Sequence, residues 1–123
     1  MLNQVIFVGR LTHDPEIKKL DDGRKVCDIT IAVRRAFKNI DGEYDTDFIK
    51  ISLWEGLAEV VSGYAEKGCL LAVKGRLQTR KYDLNEGKWM TVYEVVGERI
   101  TYLAPGKNKK NQEPRLDDED FEP

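Results

Sequence analysis

A chain of 123 residues has room for one hydrophobic core, and this excludes a second folded domain of similar size. Its apolar runs are far shorter than a membrane span, and its first residues lack the basic-then-apolar layout of a secretion signal, so we expect a cytoplasmic protein. The net charge of −2 argues, at first sight, against a partner as acidic as nucleic acid.

The charge is unevenly distributed, however. Residues 1–104 carry 16 Lys plus Arg and 16 Asp plus Glu, residues 105–116 carry four basic residues and one acid, and residues 117–123 carry five acids and no base. We therefore divide the chain into a domain (1–104), a short basic flexible linker (105–116) and an acidic C-terminal tip (117–123). The hydrophobic content of the linker and tip is too low to form a core, so we expect a disordered tail.

The first half of the domain predicts three strands. Residues 5–11 form the first, in which Gly9 marks a bend or the close approach of another backbone. Residues 26–33 alternate between apolar and polar and form the second. The third strand covers residues 47–54, and a turn at Asp41-Gly42 joins it to the second as a hairpin. Its two faces carry Ile49, Ile51 and Leu53 on one side and Phe48, Lys50, Ser52 and Trp54 on the other.

The second half predicts one helix and two further strands. The helix is indicated by apolar residues at helical spacing, with Gly68 as its C-cap: Leu57, Val60, Val61 and Tyr64. Residues 69–81 predict the fourth strand, whose apolar face carries Leu71, Val73 and Leu77. Residues 85–87 make a hairpin tip, and residues 90–103 predict the fifth strand.

This order of elements predicts an all-β fold. Five strands with one α-helix between the third and fourth are the layout of a five-stranded OB-fold barrel. A parallel α/β sheet would need a helix between most pairs of strands, and only one helix is available.

Signals for catalysis are nearly absent, so we expect neither an enzyme nor a cofactor. The single histidine, His13, stands in a Thr-His-Asp-Pro turn without the neighbours that a metal site needs. Neither a nucleophile elbow nor a phosphate-binding glycine loop is present. Cys27 and Cys69 lie within apolar strand-like runs, and we expect both to be reduced and buried.

Aromatic and basic side chains share the outward faces and the hairpin tips of the predicted barrel. Rings stack on any base and cations neutralise phosphates, so this combination predicts binding of single-stranded nucleic acid with little sequence preference. The stacking candidates are Phe37, Phe48, Trp54, Tyr82 and Trp89. The candidates for phosphate contacts are Arg10, Arg34, Arg35, Lys50, Lys74, Arg76, Arg80 and Lys81. The alternative is that a second layer of protein covers the Phe48 and Trp54 face.

Several blocks of the domain resemble one known family. They are, in chain order, residues 3–11 (NQVIFVGRL), 14–16 (DPE), 53–59 (LWEGLAE), 64–68 (YAEKG) and 75–82 (GRLQTRKY). Together they look like the bacterial single-stranded DNA-binding protein family, across nearly all of residues 1–104. The resemblance implies a homotetramer that protects single-stranded DNA in replication, recombination and repair. It also implies base stacking at Phe37, Phe48, Trp54 and Tyr82.

The tip departs from that family's pattern. Members typically end in several acids followed by Pro-Phe, and partner proteins hold this terminal pair. Here Glu122 and Pro123 follow the phenylalanine. The residues that would bind replication and repair partners are Asp117, Asp118, Glu119, Asp120 and Phe121. The alternative is a tail that only aids solubility or competes with DNA for the basic face.

Two other functions compete with the binding of single-stranded DNA. One is an RNA-binding OB domain, and the other is an interaction adaptor that acts mainly through its acidic tail. The sequence leaves open whether the protein is the main replication protein or an accessory copy that serves a mobile element or DNA uptake.

Overall fold

The computed structural model describes residues 1–106, which form six strands and one helix. In chain order these are β1 (Val5–Leu11), β2 (Ile17–Lys19), β3 (Lys25–Lys38), β4 (Tyr44–Trp54), α1 (Glu55–Tyr64), β5 (Leu70–Asp83) and β6 (Trp89–Ala104). The predicted disordered tail, apart from its first two residues, and the partner-binding residues of the tip lie outside the described residues.

The strands form one sheet in the order β1-β5-β6-β4-β3-β2, which closes into a barrel because β1 also pairs with β3. β4 and β6 run parallel, and the other pairs run antiparallel. The five long strands, with α1 between the third and the fourth, have the OB-fold arrangement, which confirms the predicted fold class. The short strand β2 was not predicted, because its three residues are all exposed and carry no alternating pattern.

The core lies inside the barrel and follows the period-2 pattern of the strands. Alternate residues of β3, β4 and β5 point inward and are fully buried: Cys27, Ile29, Ile31, Ile51, Leu53, Leu71 and Val73. Both cysteines are buried and free, as predicted. Burial raises the pKa of each thiol, since the thiolate would be poorly solvated there.

Gly9 lies where the barrel closes. A Cβ atom at this position would be 2.5 Å from the carbonyl oxygen of Ala32, on the strand that β1 meets at its end. The predicted close approach of a second backbone is therefore confirmed, and only glycine fits without a shift.

The helix packs on the barrel through Ala58 and Val61, which are fully buried. Val60, one of the apolar residues at helical spacing, does not belong to this face, since 60% of its surface is exposed. The prediction of Gly68 as the C-cap is wrong. The helix ends at Tyr64 with Ala65 as its cap, and Gly68 (φ +90°) belongs to the next turn, where its N–H donates to the carbonyl of Leu11.

Two hairpins extend the sheet past the core. One joins β3 to β4 and the other joins β5 to β6, and nearly all residues around their tips are exposed. Leu77 begins the second hairpin and is 38% exposed, so its predicted place in the core is wrong. The chain leaves the barrel at Gly75, where the register of β5 against β6 shifts. None of residues 1–106 belongs to a helix long and apolar enough to cross a membrane.

Candidate nucleic-acid interface

The outward face of β3 and β4 carries the aromatic and basic row of the third predicted strand. Phe48 lies opposite Ala32 in the register, and Lys50 lies opposite Thr30. Because these partners are small, neither covers its neighbour, and the Phe48 ring is 69% exposed. Within residues 1–106, no second layer of protein covers the Phe48 ring.

A groove of about 400 Å³ continues this face towards the β5–β6 hairpin. It brings together four of the predicted site residues, which come from two hairpins: Lys50, Trp54, Arg80 and Tyr82. Val26, Asp28 and Ser52 line it as well, together with Tyr93, Glu94 and the neighbouring valines of β6. The groove therefore offers aromatic faces and cations along one open channel, which is the combination that a single strand of nucleic acid requires.

Each of the two cations of the groove lies beside an acid. Lys50 Nζ lies 4.0 Å from a carboxylate oxygen of Asp28, whose other oxygen accepts a hydrogen bond of 2.9 Å from Ser52 Oγ. Arg80 Nε lies 2.5 Å from Glu94 Oε1. The Lys50–Asp28 pair is open to solvent, where such contacts contribute little to stability. The Glu94 side chain is only 22% exposed and its Oε1 is buried, so the contact with Arg80 is shielded from water. A phosphate can therefore compete with Asp28 for Lys50, whereas Arg80 keeps Glu94 as a partner.

Arg80 and Tyr82 form a unit on the second hairpin. Two residues apart on one strand, they point to the same side. The guanidinium carbon lies 4.8 Å from the centre of the tyrosine ring, and Nη2 donates a hydrogen bond of 2.6 Å to the phenol oxygen. Cation–π attraction and this hydrogen bond fix both side chains at the groove wall.

The β3–β4 hairpin carries a second group of rings and cations. Phe37, near its tip, is 83% exposed. The Arg34 guanidinium lies 4.3 Å from the centre of the Tyr44 ring, and Lys38 Nζ lies 5.8 Å from it. Tyr44 was not among the predicted residues, since it precedes the alternating run that defines the third predicted strand.

Three further predicted phosphate contacts, which do not line the groove, also have partners within the protein. Arg10 is half-buried and donates to the carbonyl oxygens of Gly68 (2.9 Å) and Pro105 (3.5 Å). Arg35 donates to both carboxylate oxygens of Asp47, which lowers the pKa of that carboxyl. The third is Arg76, which donates to Gln78 (2.7 Å) and lies 3.7 Å from Glu98.

The remaining predicted residues lie outside the groove. Lys74 and Lys81 are exposed, and neither takes part in an ion pair with another described residue. Trp89 is 62% exposed and lies opposite Asp83 at the tip of the second hairpin. The functional roles of these residues stay predictions.

Two features in or beside the groove were not predicted from the sequence. Tyr93 lines the groove and is 69% exposed, but its strand shows no regular alternation around it. The Arg24 guanidinium lies 5.1 Å from the centre of the Trp54 ring, and 30 positions separate the two residues in the chain.

His13 is exposed beside Thr12, and residues 1–106 contain no cluster of three or more potential metal ligands.

Residues 2–103 match the model of the single-strand binding protein family. The chain belongs to this family. A relative from Halalkalibacterium halodurans, named single-stranded DNA-binding protein, is 48% identical over 105 residues, which are 85% of this chain and 62% of the relative. Single-stranded DNA-binding protein 2 of Staphylococcus aureus is 46% identical over 110 residues, covering 89% of this chain and 79% of the relative. This chain thus spans less than two thirds of the first of these family members.

Two solved structures of the family are also similar. The single-stranded DNA binding protein from Thermus aquaticus, solved as a deletion mutant, matches with a TM-score of 0.69 and 30% identity, covering 83% of this chain and 50% of that one. A Plasmodium falciparum SSB in complex with single-stranded DNA matches with a TM-score of 0.69 and 25% identity, covering 84% of this chain and 96% of that one.

Proposed function

We propose that this chain binds and protects single-stranded DNA, largely without sequence preference and without catalysis, in DNA replication, recombination and repair. The observation that carries the proposal is the open groove beside Phe48, which is lined by the rings of Trp54 and Tyr82 and by the cations of Lys50 and Arg80. Membership of the single-strand binding protein family supports it, as does the similar fold of a protein solved with single-stranded DNA.

The mechanism follows from the chemistry of these side chains. A single strand laid along the groove places its bases on the exposed rings and its phosphates near the cations. Stacking recognises the flat face that every base has, so it gives affinity without reading sequence. Duplex DNA keeps its base faces stacked on one another, and these rings cannot reach them.

The phosphate contacts of the groove come from Lys50 and Arg80, with Arg34 and Lys81 on the two hairpins. Binding them releases condensed counterions, so affinity for the single strand falls as salt concentration rises. Arg10, Arg35 and Arg76 contribute to the same positive field while they keep their partners within the protein.

We further propose that the protein assembles into a homotetramer. Ile6 and Val8 lie on the outward side of β1 and are 63% and 48% exposed, although both are aliphatic. An apolar strand of this kind is a common feature of protein interfaces. Light scattering coupled to size-exclusion chromatography would measure the mass directly, and a monomer would contradict the assembly.

Titration of the protein with a long thymidine oligonucleotide tests the main proposal. Tryptophan emission should fall strongly on addition of the single strand and weakly on addition of a duplex of equal length, and the affinity should decrease with salt. Equal responses to the two DNAs would contradict the proposal. An RNA of equal length, added as a competitor, distinguishes an RNA-binding domain, since a preference for RNA would appear as displacement of the DNA.

The proposed role of the tail needs a separate experiment. We propose that the acidic tip recruits replication and repair proteins, in addition to DNA binding by the barrel. Deletion of residues 105–123 should then leave the affinity for the single strand nearly intact. If the deletion removed cellular function while a barrel variant without DNA affinity kept it, the protein would be an adaptor acting through its tail.

A further inference from the structure

The turn between β2 and β3 holds Arg24 in a fixed position. Its backbone N–H donates to Asp22 Oδ1 (3.0 Å), and its Nε donates to Asp22 Oδ2 (2.7 Å). Gly23 (φ +92°) provides the left-handed conformation that the turn needs, and its N–H donates to the carbonyl of Leu20. The two hydrogen bonds lower the pKa of the Asp22 carboxyl, so Asp22 stays charged at neutral pH.

Arg24 covers the Trp54 ring from outside the groove. The guanidinium carbon lies 5.1 Å from the ring centre, within the range of cation–π attraction, and tryptophan is the best partner for this interaction. Trp54 lines the groove but Arg24 does not. The cation therefore holds the indole while the part of the ring that borders the groove stays open.

The guanidinium of Arg24 keeps hydrogen-bonding capacity for a ligand. Of its five N–H groups, only Nε–H donates to a partner among residues 1–106, and 58% of the side chain is exposed. The two terminal nitrogens present the planar fork that suits phosphate oxygens. In OB folds, the loop that joins the first and second long strands is one of the elements that bind oligonucleotides, and Arg24 lies in it.

We infer that Arg24 is a further residue of the single-strand interface, which fixes the Trp54 ring for stacking and binds the phosphate beside the base stacked there. The inference rests on the proposed function, because it assigns a role within that interface. Asp22 is the positioning residue that holds Arg24 over the ring.

Replacement of Arg24 tests both proposed roles, namely the positioning of the Trp54 ring and the binding of a phosphate. Trp89→Phe in every protein leaves Trp54 as the only tryptophan, so that its emission reports this one ring. Arg24→Met keeps most of the length of the side chain but loses both the positive charge and the planar guanidinium group. Arg24→Lys keeps the positive charge but loses the planar group. Lys67→Met is the matched control, since it removes one positive charge from an exposed side chain that does not line the groove. Each protein is titrated with the thymidine oligonucleotide over a series of salt concentrations.

We expect Arg24→Met to weaken binding about 2- to 10-fold relative to Lys67→Met. The slope of log affinity against log salt should decrease in magnitude by about 0.7, which corresponds to one phosphate contact on a single strand. Arg24→Lys should keep the slope and still change the Trp54 emission of the free protein, because an ammonium group cannot stack on the ring as a guanidinium does.

Other outcomes would overturn the inference. Equal affinity and equal slope in Arg24→Met and Lys67→Met would show that Arg24 takes no part in binding. Tighter binding by Arg24→Met would mean that the guanidinium occupies the place of a base on the ring. Weaker binding with an unchanged slope of log affinity against log salt would show that Arg24 does not contact a phosphate. If the parent protein itself failed to bind the oligonucleotide, the proposed function would be wrong, whatever the variants showed.

Discussion

A substitution at Phe48 tests whether the outward face of β3 and β4 binds DNA or packs against protein. We expect Phe48→Ala to weaken binding of a thymidine oligonucleotide by about 1–3 kcal/mol, a range that belongs to single-strand-binding OB folds as a class, the type example of which is this family. This corresponds to an increase of about 5- to 150-fold in Kd. The same substitution should lower the free energy of unfolding by about 1.5 kcal/mol or less.

The exposure of the Phe48 ring limits how much free energy of unfolding the substitution can remove. Phe48 is 69% exposed, so about a third of its surface is removed from water. A fully buried aromatic ring covers about 150–250 Å², so a third corresponds to about 60 Å². At about 25 cal/mol per Å², the transfer free energy is at most about 1.5 kcal/mol. A phenylalanine packed within a core would cost about 3–5 kcal/mol on truncation to alanine.

Two measurements on the same variant decide between these interpretations. Urea unfolding gives the stability, and the salt-controlled titration gives the affinity. Val60→Ala is a suitable control, since Val60 is 60% exposed on the helix, outside the interface. If Phe48→Ala lost 3 kcal/mol or more in unfolding and nothing in affinity, the ring would pack against protein, and the stacking argument would be refuted.

The remaining predictions concern the barrel. Gly9→Ala should destabilise the protein by about 1–3 kcal/mol in urea unfolding, because the new Cβ would press on a backbone carbonyl. Gly63→Ala is the control: this glycine lies in the helix with open space around it, so the substitution should stabilise the protein by about 0.5–1 kcal/mol. Equal effects of the two substitutions would contradict the close approach at Gly9. Cys27 and Cys69 should resist alkylation in the folded protein and react once it is unfolded, which mass spectrometry measures; rapid modification of the native protein would show that the thiols are accessible. The lowered pKa of Asp47 predicts a stabilising contribution that is present above the ordinary carboxyl value of 3.8 and is lost as the pH falls below it; Asp47→Asn should show a flatter acid dependence of the melting temperature.

Much of the fold follows from local pattern. Alternation in β3 and β4 predicts which residues point inward, because a strand has a period of two whatever its neighbours are. The hairpin tips carry Gly42 and Gly87 with positive φ, which local turn chemistry requires. The helix position was also predictable. Its buried stripe was not, since the side that meets the barrel depends on how α1 packs, and small Ala58 rather than Val60 makes the contact.

The residue pattern alone predicts the type of surface, namely rings and cations on one side of an OB barrel. Which of these groups share a groove, and which already have partners in the protein, depends on how the barrel folds. The groove joins Trp54 to Tyr82 across two hairpins, and Arg10 is tied to Pro105 at the far end of the domain. Arg24 meets Trp54 across 30 positions of the chain. Such pairs are set by strand pairing and barrel closure, which bring together residues that no local period relates.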